Sequence, residues 1–427
     1  TQSRSSAASD VYKRQVEQPW HCGQFQDGNS SIKIFDSGIL VKEVPYVDEV
    51  GLFTREIDHA SNCIQEKKLE SKLVSHADTQ SNMLWLDKWR QELQIKCPYE
   101  TLDNSPIPTS KFYLMQKPQF KNTNITGIEK TASRLALGCD NQTSSLHAFT
   151  MFDHFYGAGG RIFDTAYIYN NGKGDKYLGD WINSRNLEKD IIVIGKGAHT
   201  PQCEPQFIRP QIIESLERLN IQTLDIFCLH RDNPDIPVSE FMDALDEVKS
   251  EGLINLIGAS NWELGRFSEA RDYAQSHNKE PFTALSNNFS LAEMVDPVWP
   301  GCVGVNSEYV TYLIENKIML FPWSSQARGF FIKKKEITSN EHFSNPSLEE
   351  EIRVWHNEKN LKRRAKCFEI AEQKNLQPIQ VALAYVVQKS SLIFPLIGPR
   401  TIFETNSSIE ATQINLSDQE MKDLSID

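Results

Sequence analysis

The apolar residues of this chain fall into two textures, on either side of a Pro- and Ser-containing stretch from Pro98 to Lys111. Ahead of it, two alternating runs, Ser31 to Asp36 and Ile39 to Val44, flank Ser37-Gly38 and predict a β-hairpin. Phe53, Ile57, Ala60 and Ile64 then recur at helical spacing. A second helix is expected to open at Ser75, with Asp78 three residues on as in a capping box. Its Met83, Leu84, Leu86, Trp89 and Leu93 make one stripe. This small α+β piece of about a hundred residues has too few strands to cover both helices, so it is expected to be marginal alone.

After residue 125 strands and helices alternate. Strand-like runs lie at Arg134–Leu137, Arg161–Phe163, Ile191–Ile194, Leu224–Leu229, Ile254–Ile257, Thr283–Leu285, Ile318–Phe321 and Ile393–Ile397. Helical patterns sit between them, among them Leu146–Tyr156, Lys176–Ser184, Pro210–Leu219, Glu240–Glu251, Phe267–His277, Tyr309–Asn316 and Arg364–Lys374. Eight strands with interleaved helices predict the α/β class, as a (β/α)8 TIM barrel. An open doubly wound sheet competes less well, because no G-x-G-x-x-G follows the first run. The expected layout is a disordered segment at 1–16, the α+β region at 17–100, a linker at 101–124 and the barrel at 125–427.

Composition narrows the field. With 45 Lys and Arg against 57 Asp and Glu, the 427 residues carry a net charge of -12, the wrong sign for a general nucleic-acid binder. No apolar run reaches the roughly 18 residues a membrane-spanning helix needs. The eight cysteines are scattered without a C-x-x-C pair, which points away from a metal site and toward reduced thiols in a cytoplasm. The first fifteen residues hold no apolar stretch for a signal peptide, and the missing initial methionine reads as a fragment.

A barrel gathers its chemistry at the C-terminal ends of its strands. Those ends read Gly138-Cys139-Asp140, Asp164-Thr165-Ala166 with Tyr169, Gly195-Lys196, His230-Arg231-Asp232, Gly258-Ala259-Ser260-Asn261, Pro322-Trp323-Ser324-Ser325-Gln326 and Gly398-Pro399-Arg400. Singly, each of these is an ordinary turn, cap or polar residue. Together they put an acid, a phenol, an amine and an imidazole on one rim.

The segments Phe163 to Tyr169, Ile194 to Lys196, Ser215 to Leu219, Leu229-His230, Ile257 to Asn261 and Pro395 to Arg400 resemble the aldo-keto reductases in order and spacing, from about residue 125 onward. That resemblance implies hydride transfer between a nicotinamide cofactor and an aldehyde or ketone. It implies Tyr169 as general acid/base, Lys196 lowering the tyrosine's pKa, Asp164 as the lysine's partner and His230 orienting the substrate carbonyl. It also implies a cofactor site at Gly138, Ser260, Asn261, Ser286, Trp323, Ser324, Gln326, Arg328, Gly329, Gly398, Arg400, Glu404 and Ser408. Arg400 as a fork for a 2′-phosphate favours NADP(H), whereas an acidic Glu404 near the adenosine leaves NAD(H) open. Several positions depart from the family pattern: Ser286 and Glu404 stand where it has glutamines, Ser408 where it has asparagine, Ser325 where it has proline, and Gly174-Asp175 where it has Ser-Glu.

The stretch from about 17 to 100, with Arg55 to Ala60, Ser75 to Thr79 and Asp87 to Arg90, resembles the C-terminal tail of a Gfo/Idh/MocA-type sugar dehydrogenase. That implies a fused upstream dehydrogenase domain missing from this chain, and no activity in this region. The expected function is reduction of a small carbonyl or sugar-like substrate. The alternative is a cofactor-binding barrel that regulates or scaffolds the dehydrogenase without turnover. Tyr167 and Trp262, beside rim motifs, are candidates for the substrate pocket wall. Cys139 and His199 read as bland neighbours of the site, and Lys333 to Lys335 as a solvated face. The long connection from Phe330 to about Asn360 is expected to act as a lid.

Overall fold

The computed structural model describes residues 12–15, 29–36, 39–47, 54–95, 120, 123–332 and 347–426. The chain divides into two units, Thr1–Cys97 and Pro98–Asp427.

In the first unit, β1 (Tyr12–Gln15), β2 (Asn29–Asp36) and β3 (Ile39–Val47) form an antiparallel sheet in that order. The β2–β3 pair is the expected hairpin, its Ser37-Gly38 turn lying outside the described residues. Strand β1 lies inside the segment expected to be disordered, 1–16, of which Tyr12–Gln15 alone is described. Its sequence Tyr-Lys-Arg-Gln offers no apolar alternation, and what orders it is backbone pairing with Lys33–Asp36. Helices α1 (Thr54–Gln65) and α2 (His76–Glu92) follow. Ser75 caps α2, accepting from the Asp78 backbone N–H while the Asp78 carboxylate accepts from that of Ser75. Neither helix has a buried residue, and the stripe Met83, Leu84, Leu86, Trp89 and Leu93 is exposed.

In the second unit a short antiparallel hairpin, β4 (Thr123–Ile125) and β5 (Ile128–Ala132), precedes eight parallel strands. In chain order these and their helices are β6 (Ala136–Gly138), α3 (Ser145–Gly157), β7 (Ile162–Asp164), α4 (Lys173–Arg185), β8 (Ile192–Gly197), α5 (Ile208–Leu219), β9 (Leu224–Leu229), α6 (Val238–Ser250), β10 (Ile254–Ala259) and α7 (Leu264–Ser276). The remainder are β11 (Ala284–Leu285), α8 (Ser307–Glu315), β12 (Met319–Leu320), α9 (Ser347–Trp355), α10 (Glu358–Gln373), α11 (Pro378–Lys389), β13 (Leu396–Ile397), α12 (Ile402–Ala411) and α13 (Asp418–Leu424). All eight predicted runs became barrel strands. The sheet runs continuously from β12 back to β6 and on to β13. It is closed where Leu320 N donates to Leu392 O (2.9 Å) and Phe394 N to Leu320 O (2.8 Å).

Two apolar layers hold the barrel. Inside, Ala136, Ile162, Ile192, Ile194, Ile226, Leu256, Phe321 and Phe394 pack with Ile125, Ile128 and Ala132 of the β4–β5 hairpin, which seals the floor. A second layer between strands and helices is rich in aromatics such as Phe152, Phe163 and Trp181, stacked edge-on. Sealing one end leaves the strands' C-terminal rim as the open one.

The connection expected to be a lid is described only in part, since 333–346, with Lys333 to Lys335, lies outside the described residues. Its later half is α9, fastened to the loop after β11. Val354 and Trp355 are buried, and Arg353 donates to the carbonyls of Pro297 and Val298.

Candidate active site

The second, third and fourth barrel strands bring the four expected catalytic side chains to one place. Asp164 closes β7 and Lys196 sits in β8, each with a side chain about 2–3% exposed. Lys196 Nζ donates to Asp164 Oδ1 at 2.5 Å, to Tyr169 Oη at 3.3 Å and to Thr165 O at 3.3 Å. All three ammonium protons thus have an acceptor, as a buried cation requires. His230, just past β9, packs edge-to-face on Tyr169, with ring centroids 5.7 Å apart.

Local sequence explains why Tyr169 stands there. It opens a tight turn in which Asn170 and Asn171 take left-handed conformations (φ 51° and 55°), and asparagine tolerates these best after glycine. Asn170 Nδ2 donates to Asp140 O at 3.1 Å and ties the turn to the β6 loop. Gly174 packs so closely that a Cβ there would lie 3.0 Å from both Cys139 O and Tyr169 Cβ. Asp175, fully buried, accepts from Thr165 Oγ1 (2.6 Å) and Ser215 Oγ (2.9 Å), so it braces the β7 loop although it replaces the family's glutamate.

The electrostatics differ from the expectation at the phenol. Burial raises the Tyr169 pKa above its ordinary value, and Lys196 pulls it down by less. The lysine's charge is shared with Asp164, whose carboxylate, like that of Asp140, pushes the phenol up. Burial also raises Asp164 against the pull of Lys196. Lys196 rises although burial opposes it, because Asp164 and Tyr169 face its ammonium. His230 falls well below its usual value, through burial first and then the cations of Lys196 and Arg231. The resting site therefore holds a neutral phenol, a neutral imidazole and a charged lysine.

Among the described residues, four buried side-chain polar atoms lack any hydrogen-bond partner: Gln142 Oε1, His230 Nδ1, Ser286 Oγ and Trp323 Nε1. All four belong to residues that follow barrel strands on the open rim. Buried polar atoms are nearly always paired, so orphans gathered at one place mark where a ligand supplies the missing partners. This arrangement fits a nicotinamide-type cofactor, with Ser286 and Trp323 at the positions expected for its ring end.

The other cofactor candidates are placed as follows. Ser260 Oγ donates to Ser286 O (2.5 Å), and Asn261 (φ 61°) donates from Nδ2 to Ser260 Oγ and His230 O. Gly138 ends β6 with Ile397 O 3.4 Å from where a Cβ would sit. Trp323 leans on Trp299 (6.2 Å between centroids), and the Arg328 guanidinium lies 5.1 Å above Trp299 while pairing with Glu350 at 2.6 Å. Ser324, Ala327, Arg328 and Gly329 all have positive φ, which coils the segment around Gln326 into a compact turn. Gly398 faces Asn141 Nδ2, and exposed Arg400 and Glu404 meet through the Arg400 N–H, which donates to Glu404 Oε2 at 2.6 Å. Arg400 lines a cleft of about 620 Å³ with Asp140, Gln142, Asn170 and Lys173.

Three candidates turn elsewhere. Ser408 is buried and donates back to Glu404 O (2.9 Å) along its own helix, so its hydroxyl is spent there. Trp262 is a core residue and not a pocket wall: it is 0% exposed, packs on Phe241 and Phe282, and donates to Arg231 O. Tyr167 gives its hydroxyl to Glu214 (2.8 Å) and its ring face to Arg218, both on α5. Adjacency along the chain to a rim motif does not say which way a side chain turns. The sequence reading passed over Gln142, gave Arg231 no role of its own and took His199 as a bland neighbour. His199 stacks edge-on against His230, centroids 4.9 Å apart. Arg231 had a visible signal, a cation beside the catalytic-position histidine, but nothing in the chain showed that it is buried.

A closed eight-stranded barrel with a lysine bridging acid and phenol on its rim narrows the chain to one class of barrel. A profile of the Aldo/keto reductase family matches residues 133–426, and the chain belongs to that family of oxidoreductases. It is 25% identical over 289 residues to norsolorinic acid reductase B of Aspergillus parasiticus, covering 64% of this chain and 72% of that one. It is likewise 25% identical over 302 residues to the aryl-alcohol dehydrogenase [NADP(+)] of Phanerodontia chrysosporium, covering 64% and 74%. In fold it matches a thermostable aldo-keto reductase solved with the inhibitor epalrestat, at TM-score 0.55 and 20% identity, over 71% of this chain and 98% of that one.

Proposed function

We propose that the barrel reduces an aldehyde or ketone, with Tyr169 as the proton donor and NADP(H) as the cofactor, NAD(H) being the alternative. The observation that carries this reading is the Lys196 ammonium held between Asp164 and Tyr169. When bound, a nicotinamide held beside Ser260, Asn261, Ser286 and Trp323 would supply the hydride. The chain's own work is the proton: as negative charge develops on the carbonyl oxygen, Tyr169 Oη releases its proton to that oxygen. Lys196, already hydrogen-bonded to Tyr169 Oη, stabilises the phenolate left behind. Asp164 keeps the lysine charged and aimed, and neutral His230 orients the carbonyl. The aryl-alcohol dehydrogenase relative and exposed Arg400 support NADP(H).

The substrate class is a small carbonyl compound. Aryl aldehydes are favoured by the relatives' names, and a sugar or polyol derivative by the resemblance of residues 17–100 to a Gfo/Idh/MocA tail. Loss of nicotinamide absorbance with a panel of aryl aldehydes and ketoses tests this reading. Undiminished turnover in Tyr169→Phe sinks the mechanism. A second reading, a cofactor-binding barrel without turnover that regulates or scaffolds a sugar dehydrogenase, draws on Glu404 and Ser408, whose polar groups are engaged by the backbone of Arg400 and of Glu404. Cofactor binding with no turnover of any carbonyl would favour it.

A further inference from the structure

The buried guanidinium of Arg231 has no carboxylate partner among the described residues. It is 8% exposed, at the fourth strand end directly after His230. Nη1 donates to His230 O at 3.0 Å, and Nη2 approaches only the thiol of Cys302 at 3.6 Å. The neighbouring carboxylate, Asp232, is taken by Arg266 at 3.1 Å. Arg185 holds Asp153 at 2.6 Å and Lys196 holds Asp164, whereas Arg271, 6% exposed on α7, donates to Phe282 O and has no acid among the described residues. A buried cation left without an anion is costly, and of these two arginines Arg231 is the one at a strand end beside His230, where an anion can arrive from outside.

Its surroundings tie that place to the rim. His199 packs against His230 and feels the charge of Arg231, which with burial keeps its imidazole neutral. Gly301, 3.6 Å from Arg231 Cδ at the site of a Cβ, and Cys302 belong to the loop that carries Trp299 to Trp323. The guanidinium thus lies between the carbonyl-orienting histidine and the loop beside Trp323.

Resting on the reductase reading above, we propose that Arg231 is a specificity-determining residue that receives an anionic group of the substrate. The preferred substrates are then carbonyl compounds bearing a carboxylate a few bonds from the reacting carbon. A planar guanidinium meets a carboxylate with two parallel hydrogen bonds, which a neutral substrate cannot return.

The test compares 4-carboxybenzaldehyde with 4-methylbenzaldehyde, near-isosteres that differ in charge, on the full chain. We expect the wild type to favour the carboxylate by about 10- to 100-fold in kcat/KM, the range of one charge-assisted hydrogen-bond set. Arg231→Met should bring the ratio to about one, and Arg231→Lys should restore part of it. A wild-type ratio at or below one, or an equal loss on both aldehydes in Arg231→Met, overturns the proposal. Should Arg231→Met fail to fold, the wild type still decides: competition by benzoate but not benzamide supports the subsite, and equal competition overturns it. If the wild type turns over neither aldehyde, the reductase reading fails. Benzoate protection against thermal unfolding that is weakened in Arg231→Lys would then still support the anion site, and no protection in the wild type would overturn it.

Discussion

Replacing Lys196 by methionine should separate what the buried ion pair does for stability from what it does for chemistry. The change removes a cation 2.5 Å from Asp164 and leaves that carboxylate at 3% exposure with no countercharge. Breaking a buried pair from one side costs about 3–5 kcal/mol. In a barrel of this size that corresponds to a melting temperature lower by about 10 °C. Substituting both partners, Asp164→Leu with Lys196→Met, removes the orphaned charge and should recover most of the loss. Activity should not return, because Tyr169 has lost its hydrogen-bond donor in both proteins. The sign of the pH dependence follows from the raised lysine: its stabilisation is complete below its ordinary pKa of 10.5 and is lost as pH climbs through the higher folded value. Urea unfolding at neutral and alkaline pH, with turnover measured on the same preparations, reads all three quantities. The reasoning fails if Lys196→Met loses less than about 1 kcal/mol, or if the double variant is no more stable than the single.

Tyr169→Phe should lower kcat by about 10²- to 10⁴-fold while leaving cofactor affinity, measured by fluorescence quenching, close to wild type. Trp262→Ala, a fully buried truncation, should cost about 3–5 kcal/mol in denaturant unfolding and leave the KM of the folded fraction unchanged. Ser286→Ala removes an unpartnered hydroxyl, so the cofactor-free protein should be as stable or more so by up to about 1 kcal/mol, with weaker cofactor binding in titration. Arg400→Gln should raise the KM for NADPH several-fold more than that for NADH, and equal effects on both would remove the 2′-phosphate role from Arg400.

Much of the barrel was legible because each strand is a short apolar run and each helix an amphipathic one. Helix α11 was not read from the sequence, since nine of its twelve residues are buried and such a helix shows no periodic stripe. Strand β1 was missed for the opposite reason, having almost no apolar residue at all. At the site, motif order put Asp164, Tyr169, Lys196 and His230 on one rim, and the four side chains lie together there. Sequence could not say that burial would outweigh the lysine at Tyr169, because that balance depends on how much of the ammonium's field Asp164 absorbs. Tyr167 and Trp262 show the same limit in side-chain direction: closeness along the chain to a rim motif does not fix where a side chain turns.

The barrel's strands are unequal around the ring. The three in the middle of the chain order, β8, β9 and β10, run six residues each, whereas β11, β12 and β13 run two. Lys196 lies in the long arc, with His230 and Ser260 directly after its strands, and Ser286, Trp323 and Arg400 follow the short one. Lys196 is thus held within long ladders, whereas Asp164 closes a strand of three residues and Ser286, Trp323 and Arg400 follow strands of two. Amide exchange should be slowest in the first arc and fastest in the second. Local opening then reaches the rim positions after the short strands first, while Lys196 stays in the most durable stretch of the barrel.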